Sequence, residues 1–484
     1  MSENIKNITL NGIFWNAIDR FGNQAIVSIV AIFTARLLSP EDFGIIGVLM
    51  IFSVIATSFV DSGLATSLVR TKVLDEVDYS TMFIFNLLVG LIIYLILFAA
   101  APYIERYNNI NGLALYARIL FLQIIIQSIS IVQYVKILKR FQFKLTARIN
   151  VLSIFFTGVI VIILAIMGFG VWALVLQQVL YTLFRTIMLW LWGDWNFNLN
   201  FSIQSLKKHF SFSLSFMFSN MLGKVLSPFY NSFIGKHYSI RDTGYYFTGN
   251  RWGETPGQTI TAIIQGTTLS TLTPIQDDPP RFLNASRKTM NTLGFVLIPV
   301  SILAICVARP GFIFFLTEKW IPSVLLFQIL CLAGLFTSLT DLNMNFLNIK
   351  GKSKYFLTLE IIKVFLAILF LFFTYKHSLL MIAGGMVAVR VICFVIAGFL
   401  SGRVYGYNFL LQIKDLMGPM LTSIIAGAIA YLPLYFNLIH HNLILLITQS
   451  IIFAGIYLSL NHLIKNDIWM EILGLIKKKL VKKI

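Results

Sequence analysis

The chain has 484 residues, of which 57% are hydrophobic and only 12% are charged, and its mean hydropathy is +0.82. Soluble domains carry about 25% charged residues, so this composition excludes an ordinary soluble protein. Lysine and arginine outnumber aspartate and glutamate by 38 to 20, which gives a net charge of +18. These bases gather in loops between apolar segments, which indicates membrane topology and not nucleic-acid binding.

Apolar segments recur along the whole chain, and a helix of about 20 such residues crosses roughly 30 Å of hydrocarbon. The segments lack the alternation of polar and apolar residues that is typical of membrane β-barrels. The sequence therefore predicts an all-α polytopic membrane protein with fourteen spans. The spans lie near residues 11–38, 43–68, 79–103, 112–135, 145–167, 169–193, 209–235, 242–272, 286–308, 323–346, 356–374, 379–401, 417–436 and 443–464.

The loops predict the orientation and exclude several functions. Most lysines and arginines lie on one side of the spans, so we expect both termini in the cytoplasm and the chain in a bacterial inner (plasma) membrane. No cleavable signal is expected, because the opening MSENIKN leads straight into the first span. The loops hold no soluble domain, no GxxxxGK[ST] motif and no metal-ligand spacing, so we expect no enzyme, cofactor or metal.

An internal repeat relates the two halves of the chain. Residues 36–44 read RLLSPEDFG, and residues 236–244 read KHYSIRDTG. At this offset of 200, a base, a serine, an aspartate and a glycine agree, and both stretches join the first two spans of a six-span block. The sequence thus predicts an N-terminal lobe at 1–203, a C-terminal lobe at 204–402, and two added spans with a basic tail at 403–484.

Polar residues form one-sided faces on the first span of each half and on span eight. Such faces turn toward protein or water, because a charge near the bilayer centre costs about 2.5–3.5 kcal/mol. The candidate substrate-binding residues in a central cavity are Asn16, Asp19, Arg20, Asn23, Gln24, Arg118, Lys224, Arg251, Glu254 and Gln258. The candidates for ion coupling are Asp61, Glu254 and Asp341. Bases slightly outnumber acids within the spans, which favours an anionic substrate.

Several of these charges also have structural interpretations. Arg251 and Glu254, at positions i and i+3, can form a self-neutralising pair on one helix. Glu360 and Lys363 are spaced for a local ion pair as well. Snorkelling toward the membrane surface accounts for Arg185, whereas Arg390 lies in mid-span with no evident partner in the sequence.

Five motifs occur in order along the chain, and their order resembles that of one transporter family. They are ARLLSPEDFG from Ala35, DSGLATSLV from Asp61, LKRFQFK from Leu138, TEKW from Thr317 and IKGKSK from Ile349. Together with the proline-containing eighth span, they resemble the Wzx-type flippases of O-antigen, capsule or exopolysaccharide precursors. These flippases belong to the multidrug/oligosaccharidyl-lipid/polysaccharide (MOP) exporter superfamily.

The resemblance implies two six-helix lobes around a central cavity and a lipid-facing groove formed by spans thirteen and fourteen. It implies alternating access that moves an undecaprenyl-pyrophosphate-linked oligosaccharide from the cytoplasmic to the periplasmic leaflet. The expected partners are this lipid and membrane lipids, with polysaccharide-assembly enzymes as a further candidate.

Two other functions stay open from the sequence. One is a drug or cation antiporter on the same fold, and the other is a membrane glycosyltransferase or polymerase of the same pathway. The Lys-rich tail from Ile468 to Ile484 predicts an amphipathic helix on the inner leaflet.

Overall fold

A computed structural model of the chain describes residues 2–71, 74–195, 198 and 200–481. Within its helices, the side chains at 2–14, 16–18, 61–66, 70, 209–216, 218–220, 267, 269, 270 and 475–481 lie outside the description. The candidates Asn16 and Asp61 are among these side chains, so their contacts lie outside the described part of the protein.

The described residues form sixteen α-helices in chain order, joined by short connections. The helices are α1 Ser2–Leu37, α2 Pro40–Arg70, α3 Glu76–Asn108, α4 Leu113–Lys139, α5 Phe143–Ile166, α6 Val171–Trp192, α7 Ile203–His237, α8 Ile240–Leu272, α9 Pro279–Cys306, α10 Ala308–Leu316, α11 Ile321–Ile349, α12 Lys354–Thr374, α13 Leu379–Tyr405, α14 Phe409–Tyr435, α15 Asn442–Leu463 and α16 Asp467–Val481. A long helix lies at each of the fourteen predicted spans, while the short α10 falls in a stretch that the sequence analysis treated as a loop.

The all-α polytopic prediction is confirmed. Within the described residues, eleven helices are long and apolar enough to cross a membrane, judged by length and composition. The helices α1, α7 and α8 are not among the eleven, and these are the ones for which the sequence predicts polar faces. The count of fourteen spans stays a prediction.

The chain divides into two compact units, Met1–Phe247 and Thr248–Ile484. In the first unit α1 packs on α5, α2 on α7, α3 on α4, and α6 on both α4 and α5. In the second unit α14 packs on α9 and α15, while α13 packs on α11 and α12. The lobe boundaries at 203 and 402, which rest on the repeat, stay a prediction.

The two repeat-related turns begin their helices in the same way. The Ser39 hydroxyl accepts a hydrogen bond from the Asp42 backbone at 3.3 Å, and the Asp42 carboxylate accepts one from the Ser39 backbone at 2.8 Å. The corresponding distances between Ser239 and Asp242 are 3.0 and 3.4 Å. Each pair is a capping box that satisfies backbone donors at a helix start. The serine and aspartate that the two turns share therefore fix the start of α2 and α8.

The glycines of the same turns let the two helix starts meet. A Cβ added at Gly44 would lie 2.0 Å from the Ile240 carbonyl oxygen, and one added at Gly244 would lie 1.8 Å from the Pro40 carbonyl oxygen. Arg241 Nε lies 3.0 Å from Glu41 Oε1 across the same contact. The two contacts are related by the 200-residue offset, since residue 240 corresponds to residue 40 and residue 244 to residue 44. We name this contact, Pro40–Gly44 against Ile240–Gly244, the glycine crossing.

Basic residues of the predicted cytoplasmic loops also tie helices together in the second unit. Arg287 donates to both carboxylate oxygens of Asp415, at 2.9 and 2.6 Å, and so links α9 to α14. The Tyr407 hydroxyl donates to the same carboxylate at 2.9 Å, and burial raises the pKa of Tyr407, which keeps this donor protonated. Lys288 pairs with Glu471 of α16 at 2.8 Å. These bases therefore stabilise packing in addition to their predicted role in topology.

Candidate functional site

Two groups of polar side chains lie within the membrane helices, one in each unit. The Asp19 cluster consists of polar and aromatic side chains on α1, α4, α5 and α6, namely Asp19, Asn23, Tyr134, Asn150, Tyr181 and Arg185. The Arg390 cluster consists of Glu254, Asp341, Glu360, Lys363 and Arg390, on α8, α11, α12 and α13. Each cluster gathers residues that are far apart in the sequence, so each depends on the packing of several helices.

The Asp19 cluster is a chain of hydrogen bonds across three helices. Asn150 Nδ2 lies 3.2 and 3.1 Å from the two carboxylate oxygens of Asp19, and Arg185 Nε donates to Asn150 Oδ1 at 3.2 Å. Asn23 Nδ2 also donates to the Asp19 carboxylate. The positive charge of Arg185 also acts on the Asp19 carboxylate. The amide of Asn150 therefore links the acid on α1 to the base on α6.

Arg185 does more than snorkel. Its guanidinium lies 4.7 Å above the ring of Tyr134 on α4, a cation–π geometry, while its Nε bonds Asn150. Tyr181, one turn before Arg185 on α6, interacts electrostatically with both Arg185 and Asp19. The structure thus adds Tyr134, Asn150, Tyr181 and Arg185 to the polar face that the sequence predicted on α1.

The other predicted residues of the first unit form no hydrogen bond to the Asp19 cluster within the described contacts. Arg20 is exposed, although its charge acts on Asp19, and the Gln24 amide donates to Ser28 on its own helix at 3.4 Å. Lys224 is exposed on α7, and within the described residues no ion pair involves it. Arg118 lies about 24 Å along α4 from Tyr134, at 1.5 Å per residue, so the structure does not bring it to the Asp19 cluster. It caps the Phe98 ring at 4.3 Å instead.

The Arg390 cluster places three acids and two bases inside the second unit. Lys363 Nζ lies 2.5 Å from Glu360, so the predicted local ion pair is present. Glu360, Lys363 and Arg390 retain only 6%, 8% and 7% of their exposure. The charges of Lys363 and Arg390 act on both Glu254 and Asp341. Arg390, which had no evident partner in the sequence, therefore has its counter-charges on α8 and α11.

The structure decides against the self-neutralising pair on α8. Among the described residues, no ion pair joins Arg251 to Glu254. Glu254 accepts a hydrogen bond from Gln258 at 3.1 Å. The basic residues whose charges act on Glu254 are on α12 and α13. Arg251 is half-buried and forms no ion pair within the part of the chain that the structure describes. A base in that position has donors to offer to an anionic ligand.

A glycine stripe holds α8 close to α11. Added Cβ atoms at Gly249, Gly253 and Gly257 would lie 3.1, 3.0 and 3.0 Å from backbone atoms of α11. Gly334 on α11 faces the Gly253 carbonyl oxygen at 2.9 Å in return. Small residues four apart let membrane helices approach closely, and the repeat GxxxGxxxG in residues 249–257 is the signal that the sequence analysis missed.

An apolar groove of about 790 Å³ opens elsewhere in the second unit. Ile302 of α9, Phe336 of α11, Phe394 of α13 and Met420 of α14 contribute to its wall. The groove expected from spans thirteen and fourteen is therefore lined by α14 together with three earlier helices, and the lining does not include α15. The difference follows from the packing of α14 against α9.

Charged clusters within the helices of a polytopic membrane protein mark candidate paths for a substrate or an ion. A family model described as "Polysaccharide biosynthesis protein" matches residues 33–325, which is more than half of the chain. The chain belongs to this family.

Characterised and uncharacterised relatives agree with the assignment. The succinoglycan biosynthesis transport protein ExoT of Rhizobium meliloti is 24% identical over 66% of this chain and 64% of its own length. A membrane protein of the cps region of Klebsiella pneumoniae is 20% identical over 99% of both chains. The teichuronic acid biosynthesis protein TuaB of Bacillus subtilis is 22% identical over 78% of this chain and 79% of its own length.

Solved structures show the fold. The lipid II flippase MurJ in an inward closed conformation matches with a TM-score of 0.75 at 14% identity, over 94% of this chain and 99% of that one. An inward-facing multidrug transporter of the MATE family matches with a TM-score of 0.62 at 15% identity. The match covers 79% of this chain and 95% of that one. The fold that the resemblance implied is therefore confirmed, and the family model agrees with the expected link to polysaccharide biosynthesis.

Proposed function

We propose that this chain is a flippase that carries a lipid-linked oligosaccharide from the cytoplasmic to the periplasmic leaflet by alternating access. The observation that carries the proposal is the placement of charged and amide side chains within the membrane helices of a polysaccharide biosynthesis protein. A head group of sugars and phosphates cannot cross hydrocarbon without such partners, because buried polar groups need hydrogen bonds. The names of ExoT and TuaB support an exopolysaccharide or wall-polymer precursor as the cargo.

Three bases are separate candidates for binding the pyrophosphate, two in the first unit and one in the second. Arg20 and Lys224 are exposed on α1 and α7, and Arg251 is half-buried on α8. Arginine and lysine bind phosphate oxygens through charge-assisted hydrogen bonds. Gln24 and Gln258 carry neutral donors and acceptors, and Arg118 stays a weaker candidate because it stacks on Phe98.

The lipid tail is assigned to the apolar groove. Its walls come from α9, α11, α13 and α14, and its volume of about 790 Å³ accommodates part of a polyprenyl chain. Burial of each additional methylene contributes about 0.8 kcal/mol, so even partial insertion of the tail stabilises the complex.

Orientation and driving force follow from charge. We infer that both termini are cytoplasmic, from the basic loops. Outward movement of an anionic head group is then favoured by the membrane potential, by about 2.3 kcal/mol per charge per 100 mV. Glu254 and Asp341 are the described candidates for ion coupling, and the charges of Lys363 and Arg390 act on both of them.

The test is head-group translocation in proteoliposomes that hold purified protein and the lipid-linked oligosaccharide which accumulates in cells lacking this chain. The variants Arg20→Ala, Lys224→Ala and Arg251→Ala should each lower the rate roughly ten- to hundredfold, since hydrogen bonds to charged groups contribute about 1.5–3 kcal/mol. Lys376→Ala, in the turn between α12 and α13, serves as the control and should retain wild-type rates.

The same preparation discriminates the rival functions. Cation efflux without head-group movement would identify an antiporter, which the MATE-like fold makes the second candidate. Formation of new glycosidic bonds would identify an enzyme. Wild-type rates in all three alanine variants would contradict the pyrophosphate assignment. The flippase proposal would then be judged by head-group translocation in the wild-type protein alone.

A further inference from the structure

The Asp19 cluster combines a carboxylate, an amide, a guanidinium and aromatic rings in one place. Asn150 holds the Asp19 carboxylate at 3.2 and 3.1 Å and accepts from Arg185 Nε at 3.2 Å. Tyr134 lies below the guanidinium at 4.7 Å. The residues Asp19, Tyr134, Asn150, Tyr181 and Arg185 are all half-buried, so they keep surface that a ligand can reach.

The free hydrogen-bonding capacity of the cluster includes both donors and acceptors. Among the described residues, Arg185 forms hydrogen bonds through Nε alone, which leaves the N–H groups of its two Nη atoms. Each carboxylate oxygen of Asp19 has two lone pairs, and Oδ2 receives only the Asn150 bond within the described contacts. A donor group and an acceptor group are thus presented on the two sides of the Asn150 amide.

This arrangement fits a sugar hydroxyl better than a phosphate. A hydroxyl both donates and accepts, so it can bond Asp19 and Arg185 together. A pyrophosphate offers acceptors only, and its negative charge is repelled by the Asp19 carboxylate. The rings of Tyr134 and Tyr181 add the apolar surface against which the C–H face of a pyranose packs.

We propose that the Asp19 cluster is a sugar subsite, in which Asp19 and Arg185 bind hydroxyl groups of the head group and Asn150 positions both of them. The proposal rests on the proposed flippase function. The sugar binds the polar chain that joins α1, α5 and α6, and this chain lies within the first unit. Asn150 and Arg185, which the sequence analysis did not assign to the substrate, become determinants of specificity.

The test measures binding of two kinds of lipid to the full chain in nanodiscs. The first is undecaprenyl pyrophosphate without sugar. The second is the same lipid carrying glucose, galactose, N-acetylglucosamine or glucuronic acid, each used separately. Wild-type protein should bind at least one sugar-carrying lipid about tenfold more tightly than the bare lipid, which corresponds to the free energy of one hydrogen bond.

Two variants separate recognition from structure. Asn150→Leu should remove most of this tenfold preference and leave the affinity for bare undecaprenyl pyrophosphate unchanged. Asp19→Asn, a change of nearly equal volume, should also remove the preference but bind the bare lipid at least as tightly as wild type, because a repulsive charge is gone. Ser153→Ala on α5, whose hydroxyl contacts Ile149 and Met188, is the packing control and should keep the preference.

The outcomes are distinct. Equal loss of affinity for both lipids in Asn150→Leu and Asp19→Asn would show a structural role and overturn the proposal. So would a wild-type protein that does not distinguish sugar-carrying from bare lipid. Translocation by wild type in the proteoliposome assay, together with either result, would remove the subsite while the flippase function stands. A sugar preference without any translocation would retain the subsite and remove the flippase.

Discussion

A single arginine in the middle of α13 is balanced by charges from other helices. Arg390 is 7% exposed, and it interacts with Glu254 on α8 and Asp341 on α11. Its Nε has no hydrogen-bond partner within the described structure, so its contribution is mainly electrostatic. Lys363, already bonded to Glu360 at 2.5 Å, cannot by itself compensate all three acids.

Replacing Arg390 with leucine should therefore destabilise the second unit. Removing a buried base leaves nearby buried acids less compensated, and breaking a buried pair costs about 3–5 kcal/mol, so we expect Arg390→Leu to lower the free energy of unfolding by at most about that amount. Arg390→Lys retains the positive charge, so its free energy of unfolding should fall by clearly less. Denaturant unfolding in detergent micelles measures both, with Lys376→Leu as an exposed control. Wild-type stability in Arg390→Leu would contradict the electrostatic role of this residue.

At this scale, the sequence predicts which faces are polar but not which residues pair. Helical spacing correctly gave the Glu360–Lys363 pair, since both residues lie on α12. The same spacing suggested a pair of Arg251 with Glu254. The structure differs there, because the basic residues that act on Glu254 are on α12 and α13. Partners that come from other helices depend on tertiary packing, which no local periodicity encodes.

The helix α8 combines a polar face with a glycine stripe, and the stripe determines where that face lies. Gly249, Gly253 and Gly257 bring α8 against the backbone of α11. This close approach places Glu254 within reach of the charges on α12 and α13. The spacing of four residues between these glycines is visible in the sequence. The charged residues between them, however, predict only a polar face and not a close helix contact.

A bulky residue in the stripe should separate α8 from α11. Gly253→Leu must displace backbone atoms that an added Cβ would meet at 3.0 Å, and overpacking of this kind costs about 1–3 kcal/mol. Gly266→Leu on the same helix is the matched control, since no neighbouring atom lies within 4 Å of an added Cβ there. The midpoint temperature of thermal unfolding and the rate of translocation should both fall in Gly253→Leu, and neither should fall in Gly266→Leu. Equal effects of the two substitutions would show that helix propensity, and not packing, is responsible.

For the whole molecule, composition and span length predicted the all-α membrane fold, and the repeat predicted two turns that share their capping residues. The sequence could not show that these turns touch, because two similar segments 200 residues apart give no distance. The structure supplies that distance at the glycine crossing, where Gly44 faces Ile240 and Gly244 faces Pro40.

The glycine crossing predicts matched effects of matched substitutions. Gly44→Ala and Gly244→Ala each place a methyl group about where a carbonyl oxygen already lies, at 2.0 and 1.8 Å from the added Cβ. Both should therefore lower the free energy of unfolding, by similar amounts of about 1–3 kcal/mol. Gly384→Ala on α13, where no atom lies within 4 Å, should be close to neutral. A large effect in one turn and none in the other would contradict the symmetry of the contact.

The reciprocity of this contact also bears on ancestry. Position 44 touches position 240, and position 244 touches position 40, so each surface is complementary to a copy of itself. Self-complementary contacts of this kind are the hallmark of isologous interfaces between identical subunits related by a twofold axis. A half-length forerunner with a single copy of the turn could have formed the same contact as a homodimer. Gene fusion would then have needed only a linker, with the contact itself already in place.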